Sequence, residues 1–162
     1  MEYAGFDYPT LKWIHILSAT FLFGTGVGSA FYKFMADRSG NPHNIAYTNR
    51  HVVLADWLFT TPAVVIQPVS GFMLVFMLGY SVMDFWLLSS IILYVFVVVC
   101  WLPVVVMQMR MSRLSRAAVK QGEPLTGEYH RLRQLWVSLG ILAFIGMMAI
   151  YYLMVFKPVI WS

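Results

Sequence analysis

The sequence predicts an all-α protein, a four-helix transmembrane bundle with both termini on the outer side of the membrane. Composition is the first observation behind that prediction. Hydrophobic residues make up 60% of the 162 residues and charged ones 11%, against roughly 25% charged in a soluble domain. The mean hydropathy is +0.71. Second, the apolar residues gather into four runs, each long enough to cross a hydrocarbon layer as a helix that satisfies its own backbone. Third, lysine and arginine are unevenly shared between the links. The first and third links and adjoining helix ends hold Lys33, Arg38, Arg50, Arg110, Arg113, Arg116, Lys120, Arg131 and Arg133; the other side holds Lys12 and Lys157. The positive-inside bias then puts those two links in the cytoplasm and both termini outside.

The elements follow in order. Residues 1–8 read as a polar and aromatic leader carrying Glu2 and Asp7. An acidic leader, where a signal peptide would be basic, predicts a retained first span. Pro9 suits a first helical turn, where its missing N–H costs nothing. Helix one is expected over about residues 9–35, with Lys12, Trp13, Tyr32 and Lys33 as interfacial anchors. A polar link with Gly40, Asn41 and Pro42 follows, with a short interfacial lead-in from Ile45. Helix two is expected over about residues 52–79, its Pro62 and Pro68 tolerated in a packed membrane bundle. The short link GYSVMDFW makes helices two and three antiparallel neighbours. Helix three is expected over about residues 83–109 and helix four over about 128–156, separated by a basic stretch that breaks at Gly122 and Pro124. Residues 1–162 form a single integral-membrane domain, without repeats or low-complexity tracts.

Several function classes are excluded or find no support. The net charge of +4 follows from topology and calls for no nucleic acid. Cys100, the one cysteine, lies in an apolar run and reads as a small hydrophobe. No HExxH occurs, nor a phosphate loop after a strand. The GTGVGS segment of helix one reads instead as a surface for close helix packing.

Intramembrane polar groups are costly and so become candidates for function. His15 sits about one turn inside the outer boundary, on a helix-one face shared with Ser18, Ala19, Leu22, Gly26, Ser29 and Ala30. It is either an axial ligand to haem iron or a histidine bonded across the bundle to Tyr151, Tyr152 or Ser90. No second histidine lies at its depth; Met73, Met77 and Met148 do. Nearer the cytoplasm, Asp56, Thr60, Ala63, Gln67, Ser70 and Gly71 form a polar stripe on helix two, matched by Ser90, Tyr94, Trp101 and Gln108 on helix three. His51 and Asp56 can hold a quinone head group or relay protons. Alternatively Asp56 pairs with Arg50 or a helix-four arginine. His51 and His130 bridge a second haem or lie in wet interface, and His43 is solvated.

The segments LKWIHILSATFLFGTGVGSAFYK, RHVVLADWLFTTPAVVIQPVSGF and WLPVVVMQMRM resemble a bacterial family of predicted integral-membrane proteins of unknown function, over essentially the whole chain. The run ADWLFTTPAV, Ala55 to Val64, is the most specific part. More distantly, helix one is similar to that of the bacterial membrane protoporphyrinogen oxidases (HemJ type) and of CopD-like copper-resistance membrane proteins. The oxidase resemblance implies haem binding at His15. It also implies a lysine in a later helix, and none occurs between Lys33 and Lys120. The implication that carries over is b-type haem rather than that oxidase activity.

The first expectation is therefore a haem-b redox protein of the bacterial inner membrane, ligated by His15, that exchanges electrons with quinone near His51, Asp56 and Gln67. The alternative is a non-catalytic subunit or assembly partner of a larger membrane complex, or a homo-oligomer. Third comes a small transporter or metal-handling protein using the Asp56–Gln67 stripe. The lipid bilayer is the partner common to all three.

Overall fold

A computed structural model describes residues 2, 3 and 5–160. Two short strands, β1 (Glu2–Tyr3) and β2 (Phe6–Asp7), pair antiparallel where the sequence suggested only a leader. Gly5 between them takes a φ of 81°, a conformation L side chains resist. Then come α1 (Tyr8–Ser39), α2 (Pro42–Ala55), a π-helical turn (Asp56–Thr60), α3 (Thr61–Leu78), α4 (Phe85–Gln121) and α5 (Gly127–Phe156). Residues 42–78 form one continuous rod, so among the described residues four helices are long and apolar enough to cross a membrane.

The helix ends correct the expected boundaries. Helix one runs to Ser39, where Gly40 closes it with a left-handed φ of 64°. Pro42 already starts α2, and Asn41 caps it by accepting the His43 N–H at 2.9 Å. The predicted polar link is thus almost entirely helix. Helix three continues through RMSRLSRAAVKQ to Gln121 and ends at Gly122, φ 70°. The physical reason is common to these differences: hydropathy marks where hydrocarbon begins, whereas caps and left-handed glycines mark where a helix stops.

These extensions pack on each other. Ile45, Asn49 and Val52 of α2 and Met111, Ser115 and Ala118 of α4 are buried at helical spacing. The serine and alanine side chains are small, which lets the two helices come close. Elsewhere α1 packs on α2 and α3, and α5 packs along α4 in the largest interface. The short link sets the rod and α4 side by side and antiparallel, as expected: they meet near Val75, Trp86 and Leu87 and again where α2 packs on α4, whereas along α3 the two backbones stand apart and side chains bridge them.

The result is two helical hairpins held together at both ends. One cluster joins Ala36, Ile45, Met107, Met111 and Tyr129; the other joins Val75, Trp86, Leu87 and Leu153. β1 lies against α3, and Lys157 Nζ donates to the Tyr80 hydroxyl at 2.9 Å, so the N-terminal hairpin, the α3–α4 link and the end of α5 share one end of the bundle. The α1–α2 and α4–α5 links share the other, basic end, where Tyr129 meets Asp37. Long apolar side chains such as Val95, Val99, Leu102 and Val106 of α4 point outward, as in a helix facing lipid.

The α4–α5 interface depends on Gly146, which is buried; a Cβ there would stand 2.7 Å from Val97 Cγ2. Gly146→Ala should therefore cost about 1–3 kcal/mol through overpacking. Gly146→Leu should prevent recovery of monodisperse protein in detergent, whereas Gly140→Ala, with nothing within 4 Å of its Cβ, should be tolerated. Size-exclusion profiles of the three variants check this.

Candidate functional site

The rod 42–78 loosens at one place, and that place carries the candidate site. Pro62 has no N–H to bond the Leu58 carbonyl, and its ring crowds that carbonyl. The backbone adapts with a π turn: the Thr61 N–H bonds the Asp56 carbonyl five residues back, and the Thr61 hydroxyl adds a second bond to it at 3.1 Å. Such turns within helices are frequent at functional sites. Here the turn carries Asp56 and Thr60 on its inward side, 8% and 7% exposed.

Both line a cleft of ≈ 450 Å³ between the hairpins. Leu22, Gly26 and Ala30 of α1 form one wall, and Val98 and Val104 of α4 with Gly140 of α5 form much of the other. The lining is overwhelmingly apolar, with polar groups gathered at the back and at the basic end. Val27 and Phe34 of α1 and Val137 and Ile141 of α5 line the cleft and are also exposed, so its mouth opens sideways between α1 and α5. Gly26 of GTGVGS thus acts differently from expectation. No atom lies within 4 Å of a Cβ built on Gly24, Gly26 or Gly28. Gly26 widens the cleft rather than admitting a neighbouring helix.

At the back wall, Asp56 Oδ1 accepts from Trp101 Nε1 at 3.2 Å. The expected ion pair with Arg50 or a helix-four arginine is not formed, because Asp56 turns toward α4. Its Oδ2 and the Thr60 hydroxyl are buried without a hydrogen-bond partner; Thr60 and Gln108 approach the carboxyl without completing one. Tyr94 donates to the Val64 carbonyl at 2.5 Å, tying α4 to α3 across the cleft. The cleft is therefore an apolar pocket with one unsatisfied carboxyl oxygen and one unsatisfied hydroxyl at its head.

His15 lies elsewhere, between α1 and α3. Its Nδ1 is 3.0 Å from Ser70 Oγ and its Nε2 is 3.1 Å from Gln67 Nε2. The Ser70 hydroxyl donates to the Ile66 carbonyl at 2.7 Å, so it accepts from Nδ1–H. An amide nitrogen can only donate, so Nε2 accepts from Gln67. The Ser18 hydroxyl completes the chain by donating to Gln67 Oε1. The imidazole packs closely on Gly71, where a Cβ would come within 3.1 Å of its Cε1. His15 is thus bonded across the bundle, but to α3 rather than to the expected Tyr151, Tyr152 or Ser90. Tyr151 donates instead to the Ala19 carbonyl, and Ser90 to that of Trp86. The polar stripe of helix two is split: Asp56 and Thr60 face the cleft, while Gln67, Ser70 and Gly71 face α1.

His51 and His130 are exposed. The His51 ring lies 4.1 Å from that of Tyr47, with Nδ1 2.8 Å from the Tyr47 carbonyl oxygen. Neither histidine lines the cleft. Among the described residues, no three His, Cys, Asp or Glu side chains are placed to share a metal ion.

The group least expected from sequence is Lys33, read there as an interfacial anchor but 1% exposed. Its ammonium donates to Asn49 Oδ1 at 2.8 Å, to the Tyr129 hydroxyl at 3.0 Å and to Asp37 Oδ2 at 3.3 Å. Tyr129 in turn donates to Asp37 Oδ1 at 2.6 Å, and Asn49 donates to Ser115 Oγ at 3.1 Å. Arg133 Nε stands 3.3 Å from Asp37 Oδ2. This network joins α1, α2, α4 and α5 at the basic end of the cleft. A lysine four residues before an aspartate was legible as a helical pair; its burial under Tyr129 was not.

Comparison with known proteins adds the family. The chain belongs to the family of predicted integral membrane proteins DUF2269, whose model matches residues 9–158. No match is found among curated proteins or solved structures. The family supports the integral-membrane reading and brings no activity with it.

Proposed function

We propose that this member of a family of predicted integral membrane proteins is a redox component of the bacterial inner membrane that binds quinone in the cleft between its hairpins. The observation carrying this reading is the pair of unpartnered, buried polar atoms, Asp56 Oδ2 and Thr60 Oγ1, at the back of an apolar cleft with a lipid-facing mouth. A quinone is lipid-soluble, presents carbonyl oxygens at one end and carries an apolar tail, so it matches head to back wall and tail to mouth. Ligand pockets of about 300–1,000 Å³ with few convergent polar groups are the usual form of such sites. Trp101 fixes one carboxyl oxygen of Asp56 and leaves the other free to exchange a proton with a ligand oxygen; Thr60 is a second hydroxyl within the same wall. Quinone, when bound, supplies two-electron, two-proton chemistry. The nine basic residues at one end support a placement of that end in the cytoplasm and of both termini in the periplasm.

Haem b at His15 is the other half of the expected reading. The residues as arranged do not fit it: Nε2 faces the Gln67 amide, Nδ1 is held by Ser70, and His15 is not part of the cleft wall. A haem there requires Gln67 to withdraw, so no step is derived through it. Oxidised and dithionite-reduced spectra of protein made with ample haem decide the matter. Sharp α and Soret bands lost in His15→Ala would establish ligation by His15, and unchanged spectra in that variant would remove it.

The quinone reading is tested by titrating purified protein with a short-chain quinone and following tryptophan fluorescence, since Trp101 and Trp136 both line the cleft. Saturable quenching, lost in Trp101→Phe with Trp136→Phe, supports it; linear, non-saturating quenching overturns it. A role as subunit of a larger complex is favoured by one observation, the uncrowded Gly24 and Gly28 on α1. Stoichiometric partners recovered in mild detergent would establish it.

A further inference from the structure

A second, smaller cavity of ≈ 210 Å³ lies at the basic end, bordered by Pro42, Ile45, Pro124, Leu125, Tyr129 and His130. Asp37 and Arg133 line this cavity, and both also line the intramembrane cleft. One ion pair thus borders both the pocket at the basic face and the cleft that holds Asp56. We propose that the Asp37–Arg133 pair is a gate through which water and protons pass from the basic face into the cleft and reach Asp56.

The two members of the pair differ in how firmly they are held. Asp37 is fixed: its side chain is 5% exposed, Tyr129 donates to Oδ1 at 2.6 Å, and Lys33 reaches Oδ2 at 3.3 Å. Arg133 is the movable member: its side chain is 39% exposed, against 2% for the Lys33 side chain that contacts the same oxygen. Its withdrawal leaves Asp37 still paired with Lys33, so opening does not strand a buried carboxylate. The charged groups around this border are Lys33, Asp37 and Arg133, and the His130 imidazole lines the outer cavity. On the cleft side the lining passes Gln108 and Trp136 before Asp56, so polar atoms continue along the way. A proton taken up at the basic face ends on Asp56 Oδ2 or on a ligand oxygen beside it. That the protons serve a bound quinone rests on the reading above; the passage of water does not.

The test uses full-length protein in vesicles with Cys100→Ser, so that no native thiol remains. Val104→Cys places a thiol in the cleft wall, and Val106→Cys, exposed on the outer surface of α4, places one at nearly the same depth toward lipid. A charged, membrane-impermeant methanethiosulfonate is added from either face. The expected result is modification of Val104→Cys from the basic face at least tenfold faster than Val106→Cys, accelerated severalfold further by Arg133→Ala. Arg133→Gln serves if the alanine variant does not fold. An unreactive Val104→Cys, equal reaction from both faces, or a rate indifferent to both Arg133 substitutions overturns the gate. Quinone plays no part in this readout, so the gate and the quinone reading fail separately.

Discussion

Lys33→Met should lower the stability of the detergent-solubilised protein by about 3–5 kcal/mol, the usual cost of removing one partner from a buried charged network. Methionine keeps the length of the side chain, so the loss reports on the ammonium rather than on volume. Without it, Asn49 Oδ1 and one oxygen of Asp37 lose their buried donor, and the cation held 5.2 Å from the Tyr129 ring centroid and 5.5 Å from that of Trp136 disappears. The consequence is global, because this network joins four helices at the end where the hairpins are tied. Lys12→Met is the control: Lys12 is exposed, and its loss should stay within about 0.5 kcal/mol. Unfolding midpoints of the two variants in one detergent check the difference, and equal midpoints would contradict the packing described for the basic end.

Asp56→Asn should leave the fold intact while slowing the proton-coupled reduction of a cleft-bound quinone by added dithionite by about 10²–10⁴-fold, the range for loss of a positioned proton-transfer group. Asparagine retains an oxygen for Trp101 but cannot exchange the proton. Asp56→Leu removes the unpartnered Oδ2 but also the Oδ1 that accepts from Trp101 Nε1, so the two effects offset and the stability should change by no more than about 1–3 kcal/mol. An unsatisfied carboxyl within the membrane-spanning part, at a turn loosened by Pro62, is costly to keep, and that cost is what motivates the role proposed for Asp56. A fully active Asp56→Asn protein would remove Asp56 from the chemistry, and a strongly destabilised Asp56→Leu protein would make it structural.

Much of the fold was legible in the sequence because hydrocarbon imposes a simple rule: long apolar runs must be helices, and the basic links gather at one end. Helix ends were less legible, since Gly40 and Gly122 rather than hydropathy set them. The site was legible as residue types and not as an arrangement. Asp56 and Thr60 could be placed on one face, but not the divergence of α3 from α4 that turns that face into a cleft wall. His15 stood out as a lone intramembrane imidazole. Its partners Gln67 and Ser70 were also visible, assigned to a stripe of their own, and only the packing of α1 on α3 joins the two sets. Lys33 escaped because a basic residue near a helix end is ordinarily solvated or snorkelling; Tyr129, Asn49 and Ser115, which enclose it, come from three other helices.

The central claim, that the cleft is a quinone site headed by Asp56, is tested most directly by photolabelling the membrane-embedded protein with an azido-quinone and mapping the adducts. The account predicts adducts on cleft-lining segments around Trp101 and Gly140, competed away by excess unlabelled quinone and weakened in Asp56→Leu. Adducts confined to outward-facing positions such as Val99 and Val106, indifferent to competitor, would contradict it.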